Sequence, residues 1–241
     1  MIPLSIIRAL FLLFAISALL AATDTIFVSI GIPAESSKRL GGGLAGLTVF
    51  MLAFFGGTTM KLLAKRIVKN ADAKQSVAEA LEHTGWRRKW PAMVVVDTEA
   101  FVVSTVRNGL GHTVFVSTAA IQNTSREALS AILAHELTHV RLNHPLRLCF
   151  LLGLLAFVKI AIGVPLLATV FVLLAFLYML RRWEFDADRG AAGMVGAQAV
   201  CDALEQFSRY AGKPIGPVME WFSGHPRIVR RIAALKAIKE T

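Results

Sequence analysis

Cysteine is scarce in this chain. Only two cysteines occur among 241 residues, Cys149 and Cys201, and they lie far apart in sequence. Cys149 falls inside a long apolar segment, so we expect neither a disulfide framework nor a paired-cysteine metal site. This cysteine usage is typical of a reducing compartment. The sequence also has no internal repeat and no low-complexity tail.

Charge is scarce as well, at 17% of residues against 55% apolar residues and a mean hydropathy of +0.60. Such a composition is too hydrophobic for a soluble domain of this size. Three segments with almost no charge account for it: residues 2–22, 40–60 and 146–180. A helix needs about 20 apolar residues to cross a bilayer. The first two segments each predict one span, and the third, interrupted at Gly163-Val164-Pro165, predicts a hairpin of two.

Two alternatives to these spans are weaker. Long buried core helices would also be apolar, but rarely over such lengths. The alternative for residues 2–22 is a cleaved signal peptide. The apolar run is longer than is usual in signal peptides, and the residues after it match a cleavage site only loosely. We therefore expect an uncleaved membrane anchor.

Acidic residues are outnumbered, with 16 Asp and Glu against 26 Lys and Arg, for a net charge of +10. The positive residues cluster beside the apolar segments and do not form an aromatic-interleaved stripe. Anionic lipid headgroups are therefore the expected partner, and nucleic acid is not. The segment from Asp24 to Arg39, between the first two spans, is poor in Lys and Arg. Because positive residues favour the cytoplasmic side, both termini and the site described next should face the cytoplasm.

Residues 135–139 read His-Glu-Leu-Thr-His. On a helix, His135 and His139 lie one turn apart, so their imidazoles project from one face and can share a metal ion. Glu136 is rotated away from that face, where its carboxylate can reach a water held by the ion and act as general base. The motif alone also occurs by chance in ordinary helices, as a solvated polar face.

The sequence around the motif favours a buried helix. Apolar residues recur at helical spacing through 128–134 and at Val140. Just upstream, Thr124 is the expected N-cap and Glu127 the partner that completes a capping box. A buried helix that carries histidine, glutamate and histidine indicates a ligand that satisfies them, and a metal ion is the simplest one.

A second group of polar residues supplies what the motif lacks. Two histidines leave a tetrahedral zinc ion short of a third protein ligand, and Glu184 is the candidate, with the fourth position left for water or substrate. Asp188 lies one helical turn further on, where it can accept the free ring N–H of a ligand histidine. Asp186 should point to solvent. The alternative is that these residues form only a charged helix start after an apolar segment.

The two motifs together resemble those of the HtpX-like membrane zinc metalloproteases, relatives of the CAAX prenyl endopeptidases. Glu99-Ala100-Phe101, followed by residues 112–117, is similar to that family's substrate-pairing strand, with Glu99 where the family has asparagine. Ser223-Gly224-His225-Pro226, followed by Arg231, resembles its Thr-His-Pro…Arg element, with Gly224 in place of threonine. The resemblance runs from about residue 75 to about residue 235.

The resemblance implies one zinc ion with three protein ligands: His135, His139 and Glu184. It also implies that Glu136 is the catalytic base, that His225 helps to stabilise the oxyanion and that Arg231 buttresses the site. The remaining histidines, His83, His112 and His144, are expected at the surface or at interfaces.

The expected fold class is mainly α: an integral membrane protein with about four transmembrane helices and a cytoplasmic zincin-like α+β metalloprotease domain. We expect four parts in order: an N-terminal transmembrane helix pair (1–66), a first protease part with a small sheet and the HExxH helix (67–145), a transmembrane hairpin (146–180) and a second protease part (181–241). The hairpin separates His139 from Glu184, so an even number of crossings is required for the site to close.

Inside the first protease part, we expect a helix over 71–82 followed by a small antiparallel sheet. Its strands should cover Ala92–Val96, Phe101–Val106 and Thr113–Ser117, with a tight turn at Asn108-Gly109.

The expected function is a zinc-dependent endopeptidase of the bacterial inner (cell) membrane. Its substrates would be membrane or membrane-associated proteins, cleaved at the cytoplasmic face in protein quality control. One alternative is a non-proteolytic zinc-binding membrane sensor or assembly factor. Another is a prenyl-protein endopeptidase, disfavoured because those relatives have more spans around a large chamber. The sequence does not name the substrate or the oligomeric state.

Overall fold

A computed structural model describes residues 26–63, 67, 71–158, 165–210, 216 and 219–238. Its helices are α1 (Ala34–Phe54), α2 (Gly56–Leu63), α3 (Ala71–Glu82), α4 (Thr118–Gln122), α5 (Arg126–Arg141), α6 (His144–Phe157), α7 (Leu166–Val195), α8 (Ala197–Ser208) and α9 (Ile228–Ile238), with a 3-10 turn at Met219–Phe222. The strands are β1 (Ala92–Val96), β2 (Val103–Asn108) and β3 (Gly111–Ser117). The protein is therefore mainly helical with one small sheet, as expected.

The chain forms two compact units. The first comprises Met1–Ala53 and Leu148–Val170, and the second comprises Phe54–Arg147 and Phe171–Thr241. Within the first unit, α1 and α6 approach closely at two glycines. A Cβ added to Gly46 would lie 2.8 Å from the carbonyl oxygen of Gly153, so only glycine allows this approach. The rings of Phe50 and Phe150 pack beside it, with centroids 5.0 Å apart.

A helix that crosses a bilayer must be long and apolar. None of the described helices meets this criterion singly, whereas α5 and α6, bent by 56° where they meet, meet it as a pair. The span predicted over residues 2–22 and the interruption predicted at 163–164 lie outside the described residues. The count of four spans remains a prediction.

The sheet is mixed, and the expectation of a wholly antiparallel sheet is wrong. Strand order is β1-β3-β2, with β1 parallel and β2 antiparallel to β3. After β1 the chain crosses the carboxyl end of β3, where Val102 and Ser117 exchange hydrogen bonds of 2.8 and 3.0 Å. Strand β2 therefore runs back on the far side of β3. The predicted turn is confirmed, because Asn108 pairs with Gly111 and Gly109 has φ +60°.

Helix α5 is buried on two sides, as its sequence predicted. One side packs on α3 and the sheet, and the other packs on α7, α8 and α9. The first cluster includes Val77, Leu81, Val95, Val114, Val116, Leu129, Leu133 and Leu137. The second includes Ala128, Ala131, Ala134, Ala191, Val200, Leu204 and Leu235. Full burial of a leucine is worth about 1.5–3 kcal/mol, so these contacts fix the helix firmly.

The start of α5 differs by one residue from the prediction. Ser125 is the N-cap and accepts a hydrogen bond from the backbone N–H of Ala128. The hydroxyl of Thr124 instead donates to the carbonyl of Ala120, which lies in the preceding helix, α4. Glu127 consequently lies at the second helical position, and the predicted capping box is not formed.

Candidate metal centre

Three predicted metal ligands converge from two helices. His135 and His139 lie on α5, Glu184 lies on α7, and one ligand atom of each lies within 4.8 Å of the others. The two Nε2 atoms are 3.2 Å apart, and each is 3.5–3.6 Å from a carboxylate oxygen of Glu184. A tetrahedral zinc ion with bonds of 2.0–2.1 Å places its ligand atoms about 3.4 Å apart. The donor types and their separations therefore fit one zinc ion, and the described part of the chain brings no fourth His, Cys, Asp or Glu ligand to it.

A glycine allows the two ligand helices to approach. Gly190 on α7 lies against Thr138, which sits between the two histidines on α5. A Cβ at Gly190 would overlap the side chain of Thr138 and approach the guanidinium of Arg141 to 3.0 Å. Thr138 is fully buried. The close crossing that brings Glu184 to the histidines therefore depends on glycine at this position.

Asp188 holds the ring of His135. Its Oδ1 lies 2.9 Å from His135 Nδ1, which leaves Nε2 directed at the other ligands. Arg231, from α9, donates to both carboxylate oxygens of Asp188 at 2.6 and 2.7 Å and lies 3.3 Å from Glu184. Burial raises the pKa of Asp188, but the hydrogen bonds with Arg231 and His135 outweigh it and hold that pKa below its usual value.

The same contacts change the pKa of His135, whose ring would have to lose a proton to bind a metal. Burial lowers the pKa of His135, but hydrogen bonds with Asp188 and Glu184 more than offset this and raise it to about 9. Metal binding requires the neutral ring, so a bound metal would have to displace this proton. Asp186 points away from the site and pairs loosely with Arg189 at 3.5 Å.

His144 is buried beside the site, which corrects the expectation that it lies at the surface or an interface. Its Nδ1 is 2.9 Å from Nδ1 of His139, and its ring stacks on Trp183. Its burial follows from the turn before it, because α5 ends at Arg141 and Asn143 adopts a left-handed conformation with φ +57°. Burial, followed by the charges of His139 and Arg147, lowers the pKa of His144 to about 3. His83 is exposed, as expected.

Glu136 lies next to the first ligand and is 8% exposed. Its backbone carbonyl accepts a hydrogen bond of 3.3 Å from the hydroxyl of Thr105 on β2. The edge strand β2 therefore lies directly beside α5, the helix that carries the candidate base Glu136. Phe101 precedes this strand, and its ring packs on Phe207 and Tyr210.

The C-terminal element also reaches the site. His225 Nδ1 lies 3.2 Å from Glu184 Oε2, while its side chain is 76% exposed. The hydrogen bond with Glu184 raises the pKa of His225. Ser223 Oγ accepts from the backbone N–H of His225 at 3.1 Å and stabilises the turn.

Two residues that sequence reasoning missed hold this element in place. Nη1 of Arg181 donates to the carbonyls of residues 220, 221 and 223 at 2.8–3.1 Å. The carboxylate of Glu220 accepts from Arg227 and Arg230, each at 2.9 Å. By sequence, Arg181 is one of the positive residues that follow the apolar segment 146–180. Its position almost one helical turn before Glu184 was the signal that it faces the site.

A histidine pair on one helix, a carboxylate from a second helix and an adjoining glutamate define a candidate metallopeptidase. A family model confirms this class: the chain belongs to Peptidase family M48, matched over residues 68–239, which include every candidate site residue. The resemblance seen in the sequence is therefore confirmed, and the protein is a peptidase by family.

Curated relatives support the same assignment. The chain is 25% identical over 259 residues to "Protease HtpX" of Xylella fastidiosa, covering 82% of this chain and 89% of the relative. It is 28% identical over 256 residues to "Protease HtpX" of Aeromonas hydrophila, covering 80% and 88%.

Among solved structures, the crystal structure of S. mikatae Ste24p matches with a TM-score of 0.65 and 16% identity. The match covers 96% of this chain, and the chain spans 65% of the length of that protein. At this identity the likeness shows a shared fold.

Proposed function

We propose that this protein is a zinc-dependent endopeptidase embedded in a membrane, which cleaves membrane or membrane-associated proteins at the cytoplasmic face in protein quality control. One observation carries the proposal. Three ligand atoms have the spacing of a tetrahedral zinc site, Glu136 adjoins the first of these ligands in the chain, and no fourth protein ligand joins them among the described residues. A purely structural zinc site is normally closed by four protein ligands, so this arrangement favours an enzyme over a sensor or assembly factor.

His135, His139 and Glu184 would hold the ion. Zinc, when bound, supplies Lewis-acid polarisation of the scissile carbonyl and promotes deprotonation of the attacking water. Glu136 accepts the proton of that water during attack and afterwards delivers it to the leaving amine. Glu136 is buried and directly follows the candidate ligand His135 in the chain.

The C-terminal element has the geometry to stabilise charge on the substrate. His225 can donate from Nδ1 to Glu184 and still offer Nε2–H to the developing oxyanion. Both donations together require the protonated ring of His225. Arg231 buttresses the site, because it contacts both Glu184 and Asp188.

Substrate backbone would align along β2. Strand β2 is an edge strand of the sheet, and the hydroxyl of Thr105 on it donates to the backbone carbonyl of Glu136. An extended peptide that adds to the edge of a sheet gains main-chain hydrogen bonds and a fixed register. We assign this role to Val103–Asn108 and not to Phe101, because Phe101 lies outside the strand and packs on aromatic residues.

The membrane location and orientation rest on composition. The three apolar segments are long enough for four spans, and the Lys and Arg beside them favour the cytoplasmic side for the site. A zinc centre close to the end of the hairpin would act on chains that emerge at that face.

Metal content and peptide cleavage of matched variants test the proposal. Glu184→Ala should lose both zinc and cleavage of a fluorescence-quenched peptide library, because a candidate ligand is removed. Asp186→Asn is the control on the same helix and should retain both, since Asp186 makes only a loose ion pair away from the site. A wild-type zinc content in Glu184→Ala would contradict the proposed site.

A further inference from the structure

The two ring nitrogens of His139 have different neighbours. Nε2 lies 3.2 Å from His135 Nε2 and 3.5 Å from Glu184, among the candidate ligand atoms. Nδ1 lies 2.9 Å from Nδ1 of His144, which is hydrogen-bond distance. A neutral histidine that binds metal through Nε2 carries its proton on Nδ1. With a metal on Nε2, His139 would therefore donate in this bond and His144 Nδ1 would accept.

His144 is itself fixed by both ligand helices. Its ring is 3% exposed and stacks on Trp183, with centroids 4.8 Å apart and planes 8° from parallel. Trp183 immediately precedes Glu184 on α7, so the stack connects His144 to the helix of the third ligand. The ring of His139 meets His144 edge-on at 5.0 Å. These two contacts fix the orientation of the His144 ring, so that its Nδ1 points at His139.

The backbone turn that delivers His144 is also braced. Asn143 has φ +57°, a conformation that asparagine adopts more readily than most residues. Its Oδ1 accepts a hydrogen bond of 3.3 Å from Arg107, a buried side chain at the end of β2. This turn separates α5 from α6 and brings residue 144 back beside residue 139.

We propose that His144 is a positioning residue, which fixes the tautomer and ring orientation of His139 as Asp188 does for His135. The proposal rests on the proposed metal function of the site. The two supports differ in charge: Asp188 is a carboxylate paired with Arg231, whereas His144 is a neutral acceptor. Groups that orient a metal-binding histidine typically change metal affinity about 10- to 100-fold when removed.

Two substitutions separate hydrogen bonding from packing. His144→Phe keeps an aromatic ring to stack on Trp183 but removes the acceptor. His144→Asn loses the stack but places an acceptor oxygen, Oδ1, at the position of Nδ1. His83→Phe is the control, because His83 is exposed and its Nδ1 lies 2.8 Å from the carbonyl oxygen of Glu79 in α3.

Zinc affinity, measured by chelator competition on the full-length protein in detergent, is the principal readout. We expect affinity to fall about 10- to 100-fold in His144→Phe and to be largely restored in His144→Asn, with His83→Phe unchanged. The visible spectrum of the cobalt-substituted protein should change in His144→Phe alone. Equal losses in both His144 variants, or no loss in either, would overturn the proposal.

Two further measurements complete the test. If the wild-type protein and Glu184→Ala bind zinc equally, the metal site itself fails and this inference fails with it. If the His144 variants do not fold, nitrogen NMR of the zinc-loaded wild type with ring-labelled histidine decides the matter. His144 should carry its proton on Nε2, and a proton on its Nδ1 would overturn the proposal.

Discussion

The crossing of the two ligand helices gives a prediction with a calculable magnitude. Alanine in place of glycine inside a helix normally stabilises it by about 0.8–1.0 kcal/mol. Gly193, exposed on α7, has no atom within 4 Å of an added Cβ, so Gly193→Ala should show this gain. Gly190 lies nearly one turn earlier on the same helix, where an added Cβ overlaps Thr138.

The overlap at Gly190 cannot be relieved cheaply. The added carbon would lie 2.6 Å from Thr138 Oγ1, whereas favourable contacts between heavy atoms begin near 3.5 Å. Thr138 is fully buried, and its hydroxyl donates to the carbonyl of Ala134 at 2.9 Å. Overpacking of this kind costs about 1–3 kcal/mol. Both variants gain the helix preference of alanine, so only the overpacking separates them, and we expect Gly190→Ala to be about 1–3 kcal/mol less stable than Gly193→Ala.

Thermal or denaturant unfolding in detergent, together with zinc affinity, checks this prediction. Gly190→Ala should also bind zinc more weakly, because separating α5 from α7 moves Glu184 away from the histidines. Gly193→Ala should bind zinc as the wild type does. Equal stability of the two alanine variants would refute the close helix crossing.

Three further predictions concern Asp188, Glu220 and the orientation of the chain in the membrane. Asp188→Asn should fold but lose about 10- to 100-fold in zinc affinity or activity, with partial rescue by added zinc, whereas Asp186→Asn should do little; equal effects would refute the orienting role of Asp188. Buried Glu220 has a lowered pKa because hydrogen bonds with two arginines outweigh burial, so it stabilises the fold above pH 4.3 or so. The stability lost in Glu220→Gln should therefore be largest at pH 7 and shrink as the pH falls below about 4, and a pH-independent loss would contradict this. Cysteine labels at Ser36 and Lys239 should react from opposite sides of the membrane, and reaction from one side would overturn the charge-based orientation.

Local patterns in the sequence predicted much of the fold. Helix α3 was predicted with the bounds that the structure has, and the tight turn at Gly109 was identified from Asn108-Gly109. The pairing of His135 with His139, and of Glu184 with Asp188, follows from helical periodicity alone. Each of these features depends on residues within one or two helical turns, which is why periodicity and turn chemistry predict them.

Features that depend on a change of chain direction were not predictable in this way. Asn143, in its left-handed conformation, separates α5 from α6, so that His144 is buried against His139 instead of lying at the surface or an interface. Strand β1 lies parallel to β3 because the connecting segment crosses the end of the sheet, and nothing local specifies that route. Arg181 binds three carbonyls about 40 residues away, a contact that exists only in the folded chain.

Substitution of Glu136 by glutamine tests the proposed peptidase mechanism most directly. Glutamine keeps the shape of the side chain and leaves the three candidate ligands intact, but it cannot accept the proton of the attacking water. The variant should fold and bind one zinc ion like the wild type, and its cleavage of the peptide library should fall by about 10²- to 10⁴-fold. Cleavage at a rate near that of the wild type, with zinc content unchanged, would contradict the mechanism.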